Sequence, residues 1–320
     1  MDYLGLDISK LAIDCKFKIG NDFIYMKIDN TPEGFEKIID YINQNKLEVH
    51  ACCEATGIYY IGIAEYLHKH GVKISVLNPL IIKHYAKYHM MRNKTDKKDA
   101  ELIALYCSDK KPPPWHPQSE AKKQLQSLNR RIDQLNYMQT MEKNRLQVAD
   151  TYSRPYIENM IGAISQQIEE CRKHLQDVIQ DTEDLAQKQK LLQTIKGVGQ
   201  STAAWLLSVL IDIDKFQTAK HFVSFLGLAP VYKESGTSVK SKPVISKMGD
   251  KFVRKALYWP ARSACTRSKL WRPWYLRKLE EGKHPKQIYV AMMRKMCVYA
   301  YTILKTGKPF DENMHKTLDA

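Results

Sequence analysis

Several features that would settle the class of this chain at once are missing. No apolar run approaches the ~18 residues of a membrane-crossing helix, so no membrane partner is expected. The opening "MDYLGLDISK" lacks a basic stretch followed by an apolar one, so no signal peptide is expected. Seven cysteines are scattered without any CxxC spacing. That speaks against a disulfide framework and against zinc, and it fits a reducing cytoplasm. There is no GxxxxGKS or GxxxxGKT phosphate loop, so ATP is not expected to drive the chemistry. Nor is there a strong helix-turn-helix or zinc-finger pattern to read a base sequence.

What is present is charge of one sign. The 320 residues are 44% hydrophobic and 27% charged, with a formal net charge of +15. From Leu191 to Ala320, 23 Lys and Arg stand against 9 Asp and Glu, so this stretch carries nearly the whole excess. A basic surface of that size suits a polyanion, DNA or RNA. The length allows two or three domains with real cores.

The first hundred residues alternate between strand and helix signals. Residues 2–8, 11–19 and 22–30 read as consecutive strands with short connections. Residues 31–45 open with Thr-Pro and acidic residues, a helix start. Strand 49–55, helix 59–71, strand 72–78 and helices near 79–90 and 95–108 follow. This order predicts a mixed sheet covered by helices. "KKPPPWHPQ" (110–118) is a stiff linker and the predicted domain boundary. Beyond it, apolar residues recur at heptad-like steps from Leu125 to Met138 and from Ile161 to Leu185, with "TYSRPY" (151–156) between them. That predicts a helical hairpin or coiled-coil arm. A coil within one chain and a coil between chains look alike in sequence; dimerisation is the role carried forward. From Leu191 onward a compact, mostly helical region is expected, with 231–250 as a loop or short hairpin and basic-faced helices at 251–265 and 285–307.

Four acids stand out. Asp7 and Glu54 end predicted strands, and Asp96 and Asp99 lie three apart in "RNKTDKKDA". On a helix that spacing puts both on one face. Four carboxylates in one pocket cannot all stay ionised without cations. Divalent metals would relieve that, and they suit phosphate chemistry, with two ions ~4 Å apart clamping attacking and leaving oxygens. Arg92, Lys94, Lys97 and Lys98 would then neutralise a nucleic-acid backbone beside them. Solvated helix acids give the same local pattern, and spacing alone leaves both readings open.

Together, "GLDISK", "CCEATGIYY", "VLNP", "RNKTDKKDA", "YKESGTSVK" and "ISKMGDKFVRKALYWPA" resemble the transposases of the IS one-ten family of insertion sequences, relatives of the Piv-type DNA invertases. The strand order and the acidic quartet resemble an RNase H-like domain of the RuvC type. The likeness spans nearly the whole chain. It implies an α/β plus α architecture: a RuvC-like DEDD domain with a mixed sheet at 1–110, a helical coiled-coil arm at 119–190, and a mostly helical C-terminal transposase domain at 191–320. It implies Mg2+ or Mn2+ on Asp7, Glu54, Asp96 and Asp99, and Ser235 as nucleophile. It also implies target and donor DNA as substrates, a noncoding guide RNA, and a homo-oligomer: a dimer, or a tetramer of two dimers with the site shared between protomers. Site-specific recombination through a covalent serine–DNA ester is the function expected. Such an ester keeps the phosphodiester's energy for resealing without ATP. Two other readings remain: a junction endonuclease acting by hydrolysis, which needs the acids but no serine, and a non-catalytic nucleic-acid scaffold.

Lys240, Lys242, Lys247, Arg254 and Arg272 are further candidates to bind nucleic acid. "TIKGVGQST" either lets backbone N–H groups approach a phosphate or is a tight turn between packed helices. Trp271, Trp274 and Tyr275, interleaved with Arg272, Arg277 and Lys278, either stack on bases or belong to a core with a basic rim. His68 and His70 do not share a helical face, so a metal is not expected there.

Overall fold

The computed structural model describes residues 1–90, 95–231 and 244–312, and between 232 and 243 only the backbone of 234–235 and 239–240. The chain forms two compact units, Met1–Gln118 and Ser119–Ala320.

The first unit follows the predicted order closely: β1 (Asp2–Ile8), β2 (Ala12–Ile19), β3 (Asp22–Asp29), α1 (Pro32–Gln44), β4 (Val49–Glu54), α2 (Tyr60–Lys69), β5 (Lys73–Leu77), α3 (Pro79–Tyr88) and α4 (Asp96–Lys110). Local chemistry starts the helices where the sequence suggests. Thr31 caps α1 by accepting from the Gly34 N–H, with Pro32 in its first turn; Thr95 does the same for α4 with the Lys98 N–H. The strands form one sheet in the order β3-β2-β1-β4-β5. β1 pairs antiparallel with β2 and parallel with β4, and β5 is parallel to β4. The proline run lies along this unit: the Trp115 N–H donates to the Ile74 carbonyl at 2.7 Å, and Ser75 Oγ lies 3.0 and 2.9 Å from the Pro112 and Pro113 carbonyls.

The second unit begins with α5 (Glu120–Gln147) and α6 (Arg154–Gln180). These two long helices pair with each other, sealing Leu135, Ile164 and Ile168 between them. The arm is thus a hairpin within one chain. Its base is rooted in the large core of this unit through Leu125, Leu175 and Ile179, so 119–190 and 191–320 share one hydrophobic interior. Then come α7 (Glu183–Gln193), α8 (Gln200–Leu210), α9 (Ala219–Phe225), four two-residue strands, β6 (Pro230–Val231), β7 (Glu234–Ser235), β8 (Val239–Lys240) and β9 (Val244–Ile245), and α10 (Lys251–Arg267), α11 (Arg272–Glu280) and α12 (Pro285–Thr306). α8 is buried from Thr202 to Leu210, so it runs through the core and carries no polar face. No helix among the described residues is long and apolar enough to cross a membrane.

Candidate active site

The period-2 alternation of strands divides the sheet into two unlike faces. Leu4, Leu6 and Ile8 of β1, Ile13, Cys15 and Phe17 of β2, and Val49, Ala51 and Cys53 of β4 pack with Phe35 and Ile38 of α1 and Ile63 and Leu67 of α2. The alternate residues face α4. Tyr3 and Cys52 join Ile103 and Cys107 of α4 in a second core. Gly5 marks where the helix crosses: a Cβ there would lie 2.0 Å from the Ala100 carbonyl oxygen and 2.4 Å from the Ala104 nitrogen. Only glycine permits that approach.

Asp7 and Glu54 belong to this second face. In β1 and β4, Leu6 is level with Cys53, so the next residues, Asp7 and Glu54, stand side by side on neighbouring strands ~4.8 Å apart. The first turn of α4 brings Asp96 and Asp99, acidic residues at the positive end of the helix dipole. Both are on the helix that covers the Asp7 and Glu54 side of the sheet.

An acid that sequence reasoning passed over lies on the same face. Asp14 is the direct antiparallel partner of Asp7 and is 6% exposed. Partners in register share a face, so Asp14 also points toward α4. It accepts a short hydrogen bond from the Tyr25 hydroxyl, and Lys27 Nζ lies 3.6 Å away. That hydrogen bond to Asp14, with burial and the charges of Asp14, Cys15 and Asp96, pushes the Tyr25 phenol up to about 12. Asp96 is therefore within electrostatic reach of the same pair. Lys97 Nζ sits over the Tyr25 ring at 4.9 Å, and the buried Lys16 pairs with Glu101 of α4 at 3.2 Å. Acid and base alternate along this edge.

The other end of the face carries softer donors. Among the described residues, His50, Cys52 and Cys107 bring potential ligand atoms within 4.8 Å of one another, all buried. His50 Nε2 is 2.8 Å from Ser75 Oγ, and Cys107 Sγ is 3.4 Å from the His50 carbonyl. Burial drives the Cys52 thiol far above its usual range and lowers the His50 imidazole, so it disfavours the charged form of each. Thiols and imidazole do not suit Mg2+, whereas carboxylate oxygens do. The donor chemistry of Asp7, Glu54, Asp96 and Asp99 thus fits the expected hard cation.

Ser235 lies on β7, whose backbone pairs with β8 so that Ser235 is level with Val239. The chain on either side of this ribbon, at 230–231 and 244–247, is pinned by backbone hydrogen bonds. Pro230 and Val231 pair with Ile245 and Val244, the Ser246 N–H donates to the Ala229 carbonyl at 3.1 Å, and the Lys247 N–H donates to the Gly227 carbonyl at 3.2 Å. Gly249 presses so closely on this turn that a Cβ would sit 2.2 Å from the Phe225 carbonyl oxygen. Lys247 is exposed on the turn. Arg254 donates Nη1 to the Leu226 carbonyl at 2.9 Å and so braces it. Arg272 is exposed at the start of α11, and Lys97 and Lys98 are exposed on α4. Arg92, Lys94 and Lys242 lie outside the described residues, as do the side chains of Ser235 and Lys240.

Two open sequence readings resolve toward packing. Trp271 and Trp274 are 1% and 5% exposed, so they are core residues beneath a basic rim. Gly197 takes a φ of +97°, and a Cβ there would meet Met296 at 3.2 Å and Ala264 at 3.3 Å. That favours a tight turn between packed helices.

A sheet ordered β3-β2-β1-β4-β5 with only β2 antiparallel to its neighbours, and helices on both faces, is the RNase H-like fold. Comparison with known proteins goes further. Residues 4–149 match the IS110-type DEDD "Transposase" family, and residues 189–276 match "Transposase IS116/IS110/IS902 family". The chain is 33% identical to the pilin gene-inverting proteins of Moraxella lacunata and Moraxella bovis, covering 98% of this chain and 99% of each relative. It is 23% identical to the transposase for insertion sequence element IS1328 of Yersinia enterocolitica, with 97% and 98% covered. Among solved structures, T. thermophilus RuvC in complex with a Holliday junction substrate overlaps 36% of this chain and 99% of its own length, at 11% identity and a TM-score of 0.28. The chain belongs to the IS110 family of transposases. It is an enzyme acting on DNA.

Proposed function

We propose that this chain is a site-specific DNA recombinase that cuts and rejoins strands through an ester between Ser235 and DNA. The observation that carries the proposal is the register that sets Asp7 beside Glu54 on the face covered by the helix of Asp96 and Asp99. The sheet fixes two of the four acids relative to each other, as a phosphate-handling centre requires. When bound, Mg2+ or Mn2+ held by these oxygens would neutralise charge building on the scissile phosphate. Ser235 Oγ forms the new bond to phosphorus, and the bond from phosphorus to the departing DNA hydroxyl breaks. The serine proton reaches that oxygen by way of a carboxylate of the set. A DNA hydroxyl later attacks the ester and frees the serine, so one phosphodiester is exchanged for another and no ATP is consumed.

Ser235 is in one unit and the acids in the other; the proposal has them meet within one chain or between protomers, in a dimer or a tetramer of two dimers. The exposed apolar residues at the arm tip, Val148, Tyr152 and Tyr156, give such an assembly a contact surface. A noncoding guide RNA would choose target and donor DNA, and the basic second unit would bind its backbone. Reaction of supercoiled DNA with wild type, Asp7→Asn and Ser235→Ala tests the reading. Asp7→Asn is expected to stop cutting and Ser235→Ala to stop strand exchange. Unchanged cutting by Ser235→Ala would replace the serine ester with hydrolysis at the acidic centre.

A further inference from the structure

The core absorbs Trp271 and Trp274, whereas Trp259, on the outer face of α10, is 63% exposed. The Arg262 guanidinium lies 5.1 Å from its ring centre. Lys251, Lys255, Trp259 and Arg262 recur at helical spacing and are all exposed, so they form one ridge. Beside the ridge is a cleft of about 190 Å³, lined by Asn136, Ser201, Trp205, Phe252, Lys255 and Trp259. Trp205 and Phe252 stack at 6.0 Å with planes 6° apart, and Arg130 and Lys251 sit over the Phe252 ring at 5.7 and 5.2 Å. The acid at the cleft, Asp133, is neutralised by Lys255 at 2.6 Å. The cleft is smaller than the ~300–1,000 Å³ of a drug-sized pocket, a size suited to one planar ring.

We infer that this ridge and cleft bind an unpaired base of single-stranded DNA, with Trp259 as the stacking surface, Arg262 on a phosphate beside it and Lys251 meeting the backbone further along the ridge. An exposed indole flanked by cations offers an apolar plane and two phosphate partners together, the combination that single-strand binders use. Asn136 and Ser201 supply an amide and a hydroxyl for a base edge. Charge complementarity selects a polyanion over a second copy of this basic chain. The inference rests on the reading that the chain recombines DNA, where unpaired bases arise as strands separate and exchange.

The test titrates the full-length protein into a single-stranded DNA oligonucleotide carrying one 2-aminopurine, whose fluorescence falls when it stacks. Wild type is expected to quench it. Trp259→Ala is expected to remove the quench and weaken binding about tenfold, while Trp259→Phe keeps most of both. Because Trp259 is exposed, the alanine variant should melt like wild type. Unchanged quenching and affinity in Trp259→Ala would overturn the site. So would a loss of self-association in that variant with DNA binding intact, which would make the ridge a protein contact. An RNA oligonucleotide of the same sequence that alone depended on Trp259 would overturn the assignment to DNA. Asp7→Asn, run in parallel, separates the two proposals: it should quench normally while failing to cut. If it still cuts, the catalytic reading fails and the base site stands.

Discussion

The two faces of the five-stranded sheet are built by the same strands from alternate residues, yet they hold different chemistry. One is a run of Leu4, Leu6, Ile8, Ile13, Phe17 and Val49 against α1 and α2. The other gathers Asp7, Asp14, Lys16, His50 and Glu54 beneath α4. The first face is apolar across its buried centre and supplies burial free energy. The second gives up part of that energy to hold charges in place, and at Gly5 a side chain is absent so that the helix can approach. Under the proposed function, parity along each strand separates the residues that supply stability from those that would serve catalysis.

Substitutions on each face should sharpen or break that contrast. The largest effect is expected on the acidic face: Asp7→Asn or Glu54→Gln should lower DNA cutting about 10³-fold while leaving the melting temperature nearly unchanged. A loss of folding instead would mean that these acids serve the core. Gly5→Ala should come next. Its methyl would meet α4 backbone at 2.0 Å, so the helix must lift, costing about 3 kcal/mol or more in urea unfolding and disturbing the acids together with the core. On the apolar face, Leu6→Ala, fully buried, should cost about 2–5 kcal/mol of stability with cutting by the folded fraction intact.

The smallest expected change concerns Tyr25 and Asp14. The bond to Asp14 favours the neutral phenol, so its stabilisation is complete below the ordinary value of 10.0 and is lost as pH rises through about 12. Ultraviolet titration of Asp14→Asn should return Tyr25 toward 10.0, and cutting should fall about tenfold if Asp14 helps set the acidic edge. An unmoved titration would disconnect Asp14 from Tyr25.

Much of the first unit was legible because its strands are short, alternating and bounded by Thr-Pro and Asn-Pro helix starts. The strand-end placement of Asp7 and Glu54 was legible because each closes a strong apolar run. Asp14 was missed because it sits mid-strand in "LAIDCKFKI", where a lone acid looks like the solvated half of an alternation. The signal was there: the tight turn from Ser9 to Ala12, closed by the Ser9 N–H to Ala12 carbonyl bond at 2.9 Å, fixes the register that sets Asp14 against Asp7. The tryptophans illustrate the opposite limit. Trp271 and Trp274 stand three apart and share a helical face, but spacing does not say which way that face points; packing against Tyr299 and Phe310 does. Whether α5 and α6 pair within a chain was likewise beyond heptad spacing.

The most direct test traps reacting protein on DNA under denaturing conditions and locates the attachment by mass spectrometry. The acidic face acting with the serine ribbon predicts a phosphodiester on Ser235 in wild type, and none in Ser235→Ala or Asp7→Asn. Strand exchange that proceeds with no adduct, or with the DNA on another residue, would contradict it.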